Sequence, residues 1–259
     1  MRIEGKGLID RNAPRTFRFD GISYTGFEGD TLASALLANG VRLMARSFKY
    51  HRPRGVLTAG SEEPNALMTI GRGAATEPNV RATVQEIYEG LEARPQNAWP
   101  SLAFDMLSVN DLAAPFLSAG FYYKTFMWPR AFWEKLYEPV IRRAAGLGAL
   151  SGENTPERYE KGYAFCDLLV IGAGPSGLMA ALVAARSGLD VIVADEDARM
   201  GGRLNAETDQ IDGMPGSDWA AQTLATLSEM DNVRLMSRTT VTGVYDQGTF
   251  GALERVSHH

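Results

Sequence analysis

A strand-length apolar run, Cys166–Ile171 (CDLLVI), passes directly into Gly172-Ala173-Gly174-Pro175-Ser176-Gly177. A helix-like stretch, Leu178–Ser187, follows and is closed by Gly188. A second strand-like run, Asp190–Ala194, then ends in Asp195-Glu196. A lone G-x-G-x-x-G is weak, but strand, glycine turn, helix, second strand and an acid about 20 residues on form the context in which it binds a dinucleotide. Gly172 permits the tight strand-to-helix turn. Gly174 lacks a Cβ, so a pyrophosphate can approach the backbone. Gly177 lets the helix pack close to the strand. Ala173, Pro175 and Ser176 complete the loop, and the helix N-terminus offers N–H groups and partial positive charge to the phosphates. Ala180, Ala181, Ala184 and Ala185 are expected to hold the helix against the sheet. Asp195 is the better placed acid for the ribose hydroxyls, with Glu196 the alternative. An acid there disfavours a 2′-phosphate, so NAD or FAD is favoured over NADP. Gly201-Gly202-Arg203 lies just beyond and reads either as a turn facing the cofactor or as a surface turn.

Composition removes several other functions. The 259 residues hold one cysteine, Cys166, and three histidines, His51, His258 and His259. One thiol builds neither a disulfide nor a cysteine zinc site nor a cysteine-ligated iron–sulfur cluster within the chain, and Cys166, at the start of a buried strand, reads as a packing residue. No metal site is expected and no catalytic residue is assigned; His51 has no nucleophile or carboxylate pattern around it. A net charge of −5 argues against a nucleic-acid surface. Charges interrupt every apolar run before a bilayer could be crossed, and the opening MRIEGKGLIDRN lacks an apolar signal core. The expectation is a cytoplasmic chain with no nucleic-acid or membrane partner.

Residues 1–95 carry the element order of a β-grasp domain. Thr16–Asp20 alternates with Phe17 and Phe19 on one face, Asp20-Gly21 signals a two-residue turn, and Ile22–Phe27 returns. Asp30 is the expected N-cap of a helix over Thr31–Asn39, with Gly40 at its C-cap. Ser47–Gly60 reads as a loop, Ala66–Ile70 as a strand, and Val80–Tyr88 as a strand or a helix start. In the loop, Lys49, His51, Arg52 and Arg54, flanked by Phe48 and Tyr50, offer two readings: a contact for a flavin phosphate or acidic partner, or a solvated loop with structural salt bridges.

Residues 96–165 hold Trp99, Trp128, Trp133 and the run Phe121–Pro129. They read as an aromatic helical connector packing against neighbouring domains, or as a protein–protein interface. Ser151–Pro156 reads as a linker. Residues 166–259 form the dinucleotide segment.

The run GFEGDTLASALLANG (Gly26–Gly40) resembles the β-grasp 2Fe–2S ferredoxin family. RSFKYHRPRGVLTAGSEEPNALM (Arg46–Met68), EPNVRATVQEIYEGL (Glu77–Leu91), QNAWPSLAFD (Gln96–Asp105), AGFYYKTFMWP (Ala119–Pro129) and YEPVIRRAAGLG (Tyr137–Gly148) resemble the N-terminal part of the α subunits of heterotetrameric sarcosine oxidases. The resemblance implies an α+β, β-grasp ferredoxin-like domain followed by an α/β, Rossmann-like FAD/NAD(P)-binding βαβ domain that is incomplete. The cluster-binding pattern Cys-x4-Cys-x2-Cys falls on Thr58, Glu63 and Ala66, so the expectation is a domain without an iron–sulfur cluster.

The resemblance further implies NAD at Gly172, Gly174 and Gly177, FMN at a subunit interface, FAD in the partner subunit, and β, γ and δ partners. The complex would demethylate sarcosine oxidatively to glycine, with O2 reduced to H2O2 and the one-carbon unit passed to tetrahydrofolate through a C-terminal part beyond His259. After Asp195 only 196–259 remain to complete a sheet, so a truncated or split subunit is expected, inactive alone, with an unpaired edge and partner-dependent stability. The alternatives are a non-catalytic interaction fragment, or a subunit of a related opine or amine oxidase.

Overall fold

The computed structural model describes residues 2–3, 7–115, 120, 126, 128–144, 146–154 and 158–256. Most of the aromatic run Phe121–Pro129, and His258 and His259, lie outside them. The chain divides into two compact units, residues 1–158 and 159–259.

The first unit is built on a hairpin. Strand β1 (Asp10–Phe19) and β2 (Ile22–Glu28) pair antiparallel through the turn at Asp20 and Gly21, which have φ of 48° and 81°. Helix α1 (Leu32–Ala38) follows. Its N-cap is Thr31 rather than Asp30. The Thr31 hydroxyl accepts the Ser34 N–H at 3.2 Å, and the Ser34 hydroxyl accepts the Thr31 N–H at 3.0 Å, a reciprocal capping box. Asp30 instead sits buried one residue earlier. Its carboxylate takes the Phe27 N–H at 2.9 Å, the Ser34 hydroxyl at 2.7 Å and the Arg2 guanidinium.

Two short strands, β3 (Ala45–Arg46) and β4 (Pro53–Arg54), pin the base of the following loop. The sheet continues with β5 (Leu67–Ile70), β6 (Glu77–Arg81) and β7 (Glu92–Pro95), giving the order β2-β1-β7-β5-β6. Strand β7 lies parallel to β1 and antiparallel to β5. Residues 80–88 therefore divide: the strand ends at Arg81, and turns lead on to β7. Alternation places Phe17, Phe19, Met68, Ile70 and Ala93 under α1, where they join Leu32, Leu36, Ile87 and Leu91. Burial of each large member contributes about 1.5–3 kcal/mol. The helix lies close because Gly26 faces it: a methyl there would stand 2.5 Å from Ile87 Cδ1 and 3.0 Å from Ala35 Cβ.

The connector is helical only in part. A 3-10 helix spans Met106–Ala113, a π-turn spans Trp133–Tyr137, and α2 covers Glu138–Ala144. Its residues up to 158 group with the first unit. Buried Asp105 fastens it. The carboxylate accepts the Trp99 N–H at 3.0 Å, the Leu107 N–H at 3.2 Å and His51 Nδ1–H at 2.7 Å. Arg46 Nε lies 3.5 Å from the same carboxylate and donates at 3.0 Å to the Leu102 carbonyl.

The second unit opens with β8 (Leu168–Ile171), α3 (Pro175–Arg186) and β9 (Val191–Ala194). The short strands β10 (Gln210–Ile211) and β11 (Met214–Pro215) precede α4 (Gly216–Ser228), and then come β12 (Val233–Met236) and the hairpin β13 (Thr239–Tyr245) and β14 (Thr249–Glu254). Strands β12, β9 and β8 form a fully parallel sheet in that order, which is the 3-2-1 half of a doubly wound fold. Its core gathers Val170, Leu178, Ala181, Leu182, Val193, Trp219 and Leu227. Ala181, Ala184 and Ala185 face that core as expected, but Ala180 is exposed. Among the described residues β8 pairs on one side only, and Ile171, Met179 and Val183 beside it are exposed.

Candidate dinucleotide-binding site

The glycine loop follows from the geometry of leaving a parallel strand and starting a helix at once. Gly172 adopts φ 94°, a region that costs any side chain strain. Gly174 is the helix N-cap at φ −72°, and Pro175 occupies the first turn, where its missing N–H is no loss. The helix thus begins three residues earlier than Leu178. Ser176 and Gly177, in its first turn, have no intrahelical carbonyl to pair with, so their N–H groups point out of the helix end.

The glycines differ in what surrounds them. A Cβ added at Gly174 meets nothing within 4 Å; the space above it is open. At Gly177 a Cβ would stand 1.9 Å from the Gly172 carbonyl oxygen and 3.2 Å from Val170 Cγ1. Gly177 is required for helix–strand packing, whereas Gly174 is required by nothing in the chain itself.

Asp195, at the end of β9, is buried beneath the loop. One carboxylate oxygen accepts the Ala173 N–H at 2.5 Å and the other the Asp197 N–H at 2.8 Å. Each oxygen keeps a lone pair for a further donor. Glu196 beside it is exposed. Gly201 donates its N–H to the Ala173 carbonyl at 3.0 Å, and a methyl on Gly202 would lie 3.0 Å from Gly174 Cα. The Gly201-Gly202 turn therefore packs on the glycine loop. Arg203 points to solvent, 2.7 Å from Glu207. The structure brings together Gly172, Ala173, Gly174, Asp195, Gly201 and Gly202, with Glu196 and Arg203 at the rim.

The basic loop of the first unit is largely self-satisfied. His51 is buried against Asp105. Arg52 pairs with Asp111 at 3.2 Å and, with Lys49, lies over the Tyr50 ring at 4.6 and 4.8 Å. Arg54 is exposed in β4. The Arg52–Asp111 pair is a salt bridge of the kind one of the two sequence readings expects.

Glu63 was visible in the sequence only as a residue unable to supply a thiolate. It is 1% exposed, and its carboxylate accepts N–H groups of Leu57, Thr58 and Asn65, each at 2.7 Å, and of Ala66 at 3.3 Å. Burial raises its pKa, but the four backbone donors outweigh that and leave it below the usual carboxylate value.

Residues 12–98 match the family described as 2Fe-2S iron-sulfur cluster binding domain, and residues 170–239 match the NAD(P)-binding Rossmann-like domain. The chain thus carries a stretch similar to a ferredoxin-like domain followed by one similar to a dinucleotide-binding domain. The first match corrects the expectation of a domain without an iron–sulfur cluster. That expectation rested on the chain's single cysteine and on Thr58, Glu63 and Ala66 standing at the cluster-ligand positions. Residues 12–98 contain no cysteine, and among the described residues no group of three or more His, Cys, Asp or Glu side chains is placed to hold a metal, so the side chains present do not supply a cluster's ligands.

The chain is a homologue of the sarcosine oxidase alpha subunit. It is 62% identical over 258 residues to that subunit from Rhizobium meliloti (strain 1021), covering 100% of this chain and 26% of the relative. It is 33% identical over 255 residues to that of Corynebacterium sp. (strain U-96), covering 97% and 22%. The chain thus spans about a quarter of the length of these relatives. In fold it resembles L-proline dehydrogenase from P. horikoshii, with a TM-score of 0.56 at 19% identity over 97% of this chain and 38% of that one.

Proposed function

We propose that the chain is the dinucleotide-binding part of an alpha-type subunit in a sarcosine-oxidase-like flavoprotein complex. The observation that carries this is the open space over Gly174, between a helix N-terminus and the buried carboxylate of Asp195. A pyrophosphate lies on the Ser176 and Gly177 N–H groups, where the helix end supplies donors and partial positive charge. Asp195, already fixed by two backbone donors, accepts a ribose hydroxyl through a remaining lone pair, with Glu196 as the outer alternative. Gly202 closes the loop from the other side without filling the space over Gly174. A buried carboxylate at the ribose repels a 2′-phosphate, so the ligand is NAD or FAD rather than NADP.

When bound, such a dinucleotide supplies hydride or electron transfer. The chain's own residues bind and orient it. The complete complex oxidises sarcosine to glycine, reduces O2 to H2O2 and passes the one-carbon unit to tetrahydrofolate, with β, γ and δ subunits as partners. This part of the chain is inactive alone. Among the described residues no helix is long and apolar enough to cross a membrane. Exposed Trp99, Phe104, Met106 and Leu112 on the connector suit contact with further protein.

Equilibrium dialysis of the full-length protein against NAD, FAD and NADP tests the reading. Saturable binding of NAD or FAD, with NADP weaker by about tenfold or more, is expected. Equal affinity for NADP, or no binding of any of the three, contradicts it.

A further inference from the structure

The face of the β-grasp sheet opposite α1 holds a second polar site. Because Phe19 and Ala93 point to the core, Arg18, Glu92 and Arg94 project to the other face. Strand pairing sets Arg18 beside Glu92 and Arg94 beside Thr69. Arg72, two residues past the end of β5, completes the group. Together with Gly21, Gly73 and Ala93 they line a cleft of about 330 Å³. Glu92 pairs with Arg72 and lies 3.8 Å from Arg18, while Arg18 also donates to the Gly21 carbonyl at 3.0 Å. The side chain of Arg94 makes no hydrogen bond or ion pair among the described residues. Glu153 approaches the rim near Gly73. Three guanidiniums thus meet one carboxylate inside the cleft and a second at its edge, leaving net positive charge on a chain whose formal charge is −5.

We propose that this cleft binds a phosphate group, free or carried on a small ester. Glu92 orients Arg18 and Arg72, and Arg94 supplies an uncommitted planar fork, the geometry that recognises phosphate oxygens in pairs. Gly21 and Gly73 leave the walls without side chains. The site is separate from the glycine loop and stands whether or not that loop holds a dinucleotide.

Titration calorimetry of the full-length protein at low salt, with inorganic phosphate and with ribose 5-phosphate, tests the proposal. Arg94→Gln is the main variant, because the side chain is exposed and supports nothing. Arg72→Gln is the second, and Gly174→Val separates the cleft from the glycine loop. The expected result is saturable binding, weakened about tenfold by Arg94→Gln and unchanged by Gly174→Val. A tighter ester identifies an esterified ligand; equal affinities identify the free anion. The proposal is overturned by no saturation up to about 10 mM, by undiminished binding in both arginine variants, or by binding that Gly174→Val removes.

Discussion

Gly174 and Gly177 stand three residues apart in one loop, and a single added methyl should act on them in opposite ways. At Gly174 the backbone has φ −72° and ψ −177°, which any residue adopts, and the new Cβ meets nothing within 4 Å. Gly174→Ala should therefore leave the ligand-free protein intact, or stabilise it by about 0.4–1 kcal/mol through a less flexible unfolded chain. For a unit of this size that is a rise of at most a few degrees in Tm. The same methyl stands where the pyrophosphate must approach, so NAD or FAD affinity should fall about tenfold or more, a loss of at least roughly 1.4 kcal/mol. At Gly177 the methyl starts 1.9 Å from the Gly172 oxygen and must reach at least 3.4 Å for ordinary contact. The helix start has to move, at a cost of about 1–3 kcal/mol or more. Thermal melting and dialysis on both variants give the readout. A Gly174→Ala protein that melts lower yet binds as tightly as the parent would refute the reasoning.

Glu63→Gln removes the charge that holds four loop N–H groups and leaves two of them without an acceptor, since each carboxylate oxygen takes two; it should cost about 2–3 kcal/mol in urea unfolding. Because the folded pKa of Glu63 is lowered, its contribution is fully present above about pH 4.5 and is lost as pH falls through the folded value; the gap between parent and variant should therefore shrink as the solution is acidified below that pH, and a pH-independent gap would count against it. Asp195→Asn should leave one of the Ala173 and Asp197 N–H groups unpaired, costing about 1–3 kcal/mol, and weaken dinucleotide binding; Glu196→Gln should change stability by under about 0.5 kcal/mol, and if it alone weakens binding, Glu196 is the ribose ligand. Asp105→Ala should destabilise by about 3–5 kcal/mol by leaving Arg46 without its buried counter-charge and speed proteolysis of residues 99–113; His51→Ala should do less, since it removes only one of the partners.

The second unit was legible where local chemistry dictates geometry. The strand, the glycine turn and the acid after β9 sit where the spacing puts them, because a parallel strand has few ways to enter a helix at once. The start of α3 was misread by three residues because Pro175 and Ser176 look like loop residues, although proline suits a first helical turn. In the first unit, Phe17 and Phe19 announced β1 by alternation, but Glu92–Pro95 carries too few apolar residues to announce β7, which is fixed by pairing with β1 and β5. Asp30 and Thr31 are both good caps, and only the reciprocal bonds with Ser34 decide between them. The roles of Glu63 and Asp105, and the meeting of Arg18, Arg72 and Arg94, depend on contacts distant in sequence. The exclusion of a cluster rested on the single cysteine and on three pattern positions, and the match over 12–98 corrects it.

Hydrogen exchange on the full-length protein, with and without saturating NAD or FAD, addresses the pyrophosphate on the glycine loop most directly. Slowed exchange at the amides of Ser176 and Gly177, with smaller protection across 195–203, is the expected result. Saturable binding that leaves the exchange of 172–178 unchanged would place the ligand elsewhere and contradict the account.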